Sequence, residues 1–463
     1  MRLHYYQLYY IFVFLLMLSS YIINSQIIGW IALVLTVGQI VRNINKPAEL
    51  LILQLLYIFQ YQFYISYLYM PTGMSFLTDI ITIIILINYI YDILFLNRKT
   101  HKLEFSIMIC LLCFVTLGFF GNILQGFSPI RYMWAVRNNA RIFLFFIFSI
   151  HYLSPYIIRK SESLFTIAYF FNIIFIWIQY YYLGFKQDFL GGIFGNEIGT
   201  ANTYLHILLL IFICISISKY ITSNISIIKF LIYIISILLV AALSELKIVF
   251  IEIIVIYLIS YLIIGFDIKR LARMLLIVVP SVVVFIIAIP ILESVSPFFK
   301  GFLNIESLLS ISTGSYTGKG DIGRLSAINY VRERMFNYDN SKTLIGIGLG
   351  NAELSQSNIL TSPFYLAYGN TTHYNWFSLP FVMIETGLIG VMLYSFPYIY
   401  IFREMVFNNN KQYKMLISLQ LSIMAFVLFI YNISLRIEIG YLFVFVLAFG
   451  TLNLHTKGEN NES

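Results

Sequence analysis

An all-α polytopic membrane fold is predicted by this sequence, on three observations. Apolar stretches of roughly 18 to 25 residues recur along the chain, each long enough to cross a hydrocarbon core about 30 Å thick. Charged residues make up 11% of the 463 positions and hydrophobic ones 60%, whereas soluble domains carry about 25% charged residues. Lys and Arg recur in alternate connections, the bias expected of loops held on one side of a membrane. A water-soluble globule is excluded. A transmembrane β-barrel would need alternating segments of about ten residues, and these are absent.

The pattern gives about fourteen spans, near 8–24, 27–41, 49–69, 76–96, 104–121, 141–158, 163–184, 201–218, 225–244, 247–266, 273–294, 375–402, 414–434 and 438–454. Residues 1–295 thus hold the first eleven spans, 296–374 a large extracytoplasmic loop, 375–454 the last three spans and 455–463 a short polar tail. Met1-Arg2 followed by Tyr9–Ile23 lacks a small-residue cleavage site and is expected to remain as the first helix. With the N-terminus inside, the inner loops hold Arg42 and Lys46, Arg98, Lys99 and Lys102, Arg159 and Lys160, Lys219, Lys269, Arg270 and Arg273, and Arg403, Lys411 and Lys414. Every short inner loop is basic, so both termini are expected in the cytoplasm. Cys110, Cys113 and Cys214 lie within apolar spans and are read as packing residues, with no disulfide implied.

Four outer regions break the charge rule. They are 122–141 with Arg131, Arg137 and Arg141, the turn Ser244-Glu245-Leu246-Lys247, the long loop 296–374, and the last turn with Arg436. The bland reading for any one cation is solvation or a lipid phosphate. Their concentration on one face instead suggests a grip on an anionic substrate. In the long loop, Leu325, Ile328, Val331, Met335 and Phe336 recur at helical spacing, which predicts an amphipathic helix with Asp321 as N-cap. Arg324 would then stand in the first turn, beside free backbone N–H groups that attract phosphate. A helix lying on the membrane, with Arg332 and Arg334 on lipid headgroups, is the competing reading.

Leu344-Ile-Gly-Ile-Gly-Leu-Gly-Asn351 follows, where alternating glycines permit close backbone approach. It is no dinucleotide fingerprint, because the strand–turn–helix context and downstream acid are missing. Thr371-Thr-His-Tyr-Asn-Trp376 then leads into a span with Glu385-Thr-Gly-Leu-Ile-Gly390. Within the spans, Glu252 is expected to be partnered or protonated and Glu385 structural, while His151, His206, Asp79 and Asp92 are read as satisfied packing polars.

A Gly-Arg at a loop helix, a Gly-x-Gly-x-Gly turn, a His-x-Asn and then Glu-x-Gly-Leu-x-Gly, in that order over 323–390, resembles the O-antigen polymerase and O-antigen ligase superfamily. Phe194–Asn202 and Ser244-Glu-Leu-Lys247 look similar to two further family stretches. Lys247 stands where the family often has arginine, keeping the charge and losing the bidentate fork. Tyr374 separates His373 from Asn375, where many relatives have His-Asn directly. The resemblance implies a GT-C-like enzyme of the inner (plasma) membrane. It would join undecaprenyl-diphosphate-linked oligosaccharide repeat units by glycosyl transfer on the outer side. It also implies His373 and Arg324 as catalytic residues, and Lys247, Arg332, Asn375, Arg131 and Arg137 as substrate-binding ones. No Asp-x-Asp motif is seen, and no metal, cofactor or nucleic-acid partner is expected; a chain-length regulator and a flippase are candidate partners. The ligase that transfers polymer to a lipid A core is the nearest alternative, and a polysaccharide flippase a more distant one.

Overall fold

The computed structural model describes residues 4–264, 320–355, 357–408 and 412–452. Among the described residues the protein is all-helical, without strands. The helices are α1 (Tyr5–Ile23), α2 (Gln26–Arg42), α3 (Pro47–Leu68), α4 (Phe76–Leu94), α5 (Lys102–Gln125), α6 (Pro129–Tyr152), α7 (Pro155–Trp177), α8 (His206–Ile221), α9 (Ile227–Leu243) and α10 (Lys247–Ile264). After two short helices, α11 (Ala327–Tyr330) and α12 (Asn340–Ile345), come α13 (Ser378–Val406), α14 (Tyr413–Tyr431) and α15 (Gly440–Leu447). Nine of the described helices, some extended by an adjoining tight or π turn, are long and apolar enough to cross a membrane. The helices at 26–42, 227–243 and 440–451 are apolar but shorter. The expected span 273–294 and the loop residues 296–319 lie outside the described residues.

Burial sorts the helices by position. Every residue from Leu50 to Tyr64 of α3 is buried, as is every residue from His206 to Ser218 of α8 and all of α15. Helices apolar on all sides belong in the interior. The outer helices instead expose apolar side chains, such as Ile83 and Ile87 on α4, Leu112 on α5 and Ile228 and Ile232 on α9, the surface expected where lipid is the solvent. Several polar side chains in the interior find partners. Gln54 donates to Thr82 Oγ1 at 3.0 Å and Tyr57 Oη to the Met74 carbonyl at 2.8 Å. Glu104 accepts from Tyr89 at 3.2 Å and contacts His151 Nδ1 at 3.1 Å.

Two expectations are corrected. The region 122–141 is helical rather than a loop: α5 runs to Gln125, and Pro129, placed where its missing N–H costs nothing, starts α6. Arg131, Arg137 and Arg141 therefore ride on α6. The second correction concerns the helix expected from Asp321. Residues 324–326 form a turn, α11 starts only at Ala327, and it continues as one π turn through Met335. Ser326, not Asp321, is the N-cap, and Arg324 precedes the helix. Ile322, Ala327, Val331, Met335 and Phe336 pack inward while Leu325 is exposed. The two glycines at 320 and 323 let the chain turn instead of prolonging a helix.

The glycine-rich segment has a structural use. Helix α13 is broken at Gly387, whose φ is +62°, and a Cβ there would lie 2.3 Å from the Leu344 backbone. At Gly346 (φ +73°), a Cβ would lie 2.4 Å from the Glu385 backbone. The close approach lets Ile347 N–H bond the Ile384 carbonyl and Gly348 N–H the Glu385 carbonyl, at 2.9 and 2.8 Å. Irregular backbone at this depth persists only when protein satisfies it, and here loop and kink satisfy each other. Gly387→Ala should cost about 1–3 kcal/mol by overpacking, beyond the strain of a positive φ. Gly184→Ala, also at positive φ but with open space around it, supplies the strain-only control in detergent thermal melts; equal losses would contradict the docking.

Candidate functional site

One polar cluster gathers at the ends of α8, α10 and α14. Arg324 Nε donates to the Tyr431 carbonyl at 3.3 Å, and its guanidinium lies 4.4 Å from the Tyr431 ring centre and 5.4 Å from that of Phe377. A guanidinium over aromatic faces keeps its charge while its stem is held. Tyr431 Oη contacts Asn202 Oδ1 at 3.2 Å, and Asn202 donates its amide to Asp188. Asp188 is acted on by the Arg324 charge. Glu245, hydrogen-bonded by Gln187, is acted on by both Lys247 and Asp188. Arg324, Asp188, Glu245 and Lys247 thus form a run in which two adjoining acids are flanked by a cation on either side.

Behind this run stands a buried pair. His206 Nε2 faces both Glu252 oxygens at 2.9 and 3.0 Å, and its Nδ1 lies 3.2 Å from Asn432 Nδ2. Asn432 also donates to the Asn202 carbonyl at 2.7 Å. An amide nitrogen can only donate, so Nδ1 is the acceptor and Nε2 carries the proton toward Glu252. His206 packs edge-on to Tyr431 at 5.4 Å, which ties the pair to the platform beneath Arg324.

His373 arrives from the other side. It adopts a left-handed backbone (φ 50°), with its N–H on the Gly369 carbonyl at 2.9 Å, and its ring stacks on Trp376 at 4.1 Å. The Thr372 carbonyl accepts the Ile322 N–H at 2.9 Å. Phe377, four residues past His373, lies under Arg324. The Arg324 and His373 segments are therefore joined by that backbone bond and by the seat of Arg324 on Phe377. Asn375 Oδ1 is buried without a hydrogen-bond partner.

The remaining candidates lie elsewhere. Arg332 is exposed, 5.7 Å from the Tyr338 ring, and no described contact joins it to the cluster. Arg137 pairs with Asp79, its Nε 3.1 Å from Oδ2, between the Phe76 and Trp134 rings at 5.0 and 4.6 Å. Arg131 is half-buried on α6, its backbone packed against Gly350. Arg137 belongs to a second cluster, in which arginines and acids are paired. Arg141 bonds Glu438 at 2.8 Å, and Arg436 lies 3.5 Å from Glu353, 4.0 Å from Glu385 and 3.4 Å from the Phe381 ring centre. Glu385 also accepts the Gly350 N–H at 2.8 Å, in keeping with a structural role.

Asp188, Tyr431, Glu353 and Glu438 are members of these clusters that the sequence did not single out. The only signal for them was acidity or aromaticity at expected outer turns, and their partners are distant in the chain. Among the described residues no group of three or more His, Cys, Asp or Glu side chains is placed to hold a metal ion. No protein-family model matches the chain, and no curated protein matches it.

Burial holds the carboxyls of Asp188 and Glu245 above their ordinary values, against the opposing pull of hydrogen bonds and of Arg324 or Lys247. A carboxyl whose folded value is raised binds more protons in the folded state, so the stability it contributes is lost as pH rises through that window. Asp188→Asn removes one such group. Its melting temperature relative to wild type should therefore climb as pH rises above about 4; parallel curves from pH 4 to 7 would rule this out.

Proposed function

We propose that the protein is a polysaccharide polymerase acting on polyprenyl-diphosphate-linked oligosaccharides, in an envelope of about fourteen spans with the Arg324 cluster on the outer side of the membrane. A hydroxyl of the acceptor sugar attacks the anomeric carbon of the donor, and the C–O bond to the diphosphate breaks. Polyprenyl diphosphate leaves with the bonding electrons. The proton of the attacking hydroxyl passes to His373, the residue type most often used as a general base.

Charge builds on the departing diphosphate in the transition state, and fixed cations facing it lower that barrier. Arg324, seated on Tyr431 and Phe377, is the first such group in this reading, and Lys247 the second. Asp188 and Glu245 hold the two cations apart and neutralised until a more strongly charged diphosphate replaces them. The observation that carries the reading is the union of the Arg324 and His373 segments through the Ile322–Thr372 hydrogen bond. It supports the reading by tying the segment that carries the cation to the segment that carries the basic group. A ligase of the same superfamily would use the same cluster with a different acceptor. Arg131, Arg137 and Arg332 take secondary positions, since Arg137 already pairs with Asp79.

Arg324→Ala should lower single-turnover polymerisation of a defined lipid-linked repeat unit by roughly 10²–10³-fold. His373→Ala should lower it by about 10²–10⁴-fold, and Lys247→Ala by less than Arg324→Ala. Product length on a gel measures each. Long chains from both Arg324→Ala and His373→Ala at normal protein levels would overturn the assignment.

A further inference from the structure

The opposite end of the bundle carries a second site. Helices α8 and α14 both run from the Arg324 cluster to a cavity of about 570 Å³ lined by Pro155, Arg159, Thr222, Asn224, Gln412, Tyr413 and Lys414. The volume lies within the roughly 300–1,000 Å³ typical of small-molecule sites. Tyr413 and Tyr431 are the two ends of α14, a helix of 19 residues, so the two sites stand roughly 28 Å apart at 1.5 Å per residue.

The charges lining the cavity are of one sign. Arg159 is exposed and Lys414 half-buried. Among the described residues neither makes an ion pair; Lys414 Nζ only faces the Tyr413 ring at 5.9 Å. Glu162, the carboxylate that acts on Lys414, is already engaged by Lys219 Nζ at 2.8 Å. The neighbouring Lys160 is engaged by Glu49. Among the described residues Glu162 is the one nearby carboxylate, and Lys219 and Lys414 share it, so positive charge remains in excess around the open space. Two long helices, α7 at Pro155 and α14 at Tyr413, begin at the same cavity, and α14 has no N-cap side-chain bond. Their positive dipole ends add to the same field, although Ser154 Oγ already caps the Ile157 N–H of α7 at 3.3 Å. Thr222 and Asn224 contribute a hydroxyl and an amide at the rim, Asn224 Nδ2 donating to Thr222 Oγ1 at 2.7 Å.

We infer that this cavity binds a phosphate group, with Arg159 and Lys414 as its principal ligands. A guanidinium fork, an ammonium and helix N-termini suit a tetrahedral oxyanion that presents several acceptors at once. The position, at the ends of membrane-length helices, matches the depth of lipid headgroups, and basic pockets between such helices bind anionic ones. The phosphate is therefore either the diester of an anionic lipid or free in solution. The inference does not depend on the polymerase reading, because the site shares no residue with the Arg324 cluster.

The test uses the full-length protein, stripped of lipid in detergent, with inorganic phosphate titrated by calorimetry. In parallel, lipid retention is read by native mass spectrometry after exchange between phosphatidylglycerol and phosphatidylcholine nanodiscs. Wild type should bind at least tenfold tighter to one anionic probe than the double variant Arg159→Gln/Lys414→Gln. Saturable binding of inorganic phosphate that the variant loses identifies a free phosphate. Selective retention of phosphatidylglycerol that the variant loses identifies a headgroup. If the double variant fails to give the wild-type circular dichroism, Arg159→Gln and Arg159→Lys are compared instead, and only the lysine variant should keep binding. Equal binding of both probes by wild type and variants, or binding by neither, overturns the proposal.

Discussion

Charge and open backbone inside an apolar bundle must be matched by protein, because lipid supplies no hydrogen bonds, and this constraint organises the whole molecule. Its effect is clearest at 432–439, where the chain leaves the helix between α14 and α15. The Asn432 carbonyl accepts Ser378 N–H and Oγ at 3.0 and 2.9 Å, and the Leu435 carbonyl accepts Tyr394 Oη at 2.9 Å. The same short break presents Asn432 to His206, and Arg436 and Glu438 to the charged cluster. One irregular segment thus joins both polar centres to the apolar helices around them.

The two centres differ in what they can do. The Arg436–Glu438 cluster pairs three arginines (137, 141 and 436) with four acids (79, 353, 385 and 438). Removing either member of a buried pair leaves an uncompensated charge, which costs about 3–5 kcal/mol, so such a cluster holds structure more readily than it receives an anion. At the Arg324 cluster the cations lie on turns and helix ends instead. Their partners are half-solvated acids whose own ionisation burial opposes. That arrangement leaves the cations more exchangeable than the buried pairs of the other cluster.

The glycine run illustrates how one pattern serves two readings. Close approach of backbone was legible in Gly346, Gly348 and Gly350, since only glycine spares the space. The approaching groups were not, for they are the kink of α13 at Gly346, Asn122 at Gly348 and the Arg131 backbone at Gly350 rather than a ligand. His373 similarly was legible as a polar residue at a span boundary. Its left-handed turn and its stacking on Trp376 come from neighbours that position it.

The helical class and the positions of most long apolar helices were written in hydropathy, and Arg324 and Lys247 drew notice as charges that depart from the loop rule. Those properties are local, and each can be read within a window of some twenty residues. Tertiary structure alone decided that Arg131, Arg137 and Arg141 ride on a helix, because Asp79 and Glu438 offset the cost of burying two of them. It also decided that Arg324 meets Asp188 and Tyr431, residues more than a hundred positions away. Pairing across such distances depends on which helices pack together, and that choice is made by the shape of whole surfaces, not by any one segment.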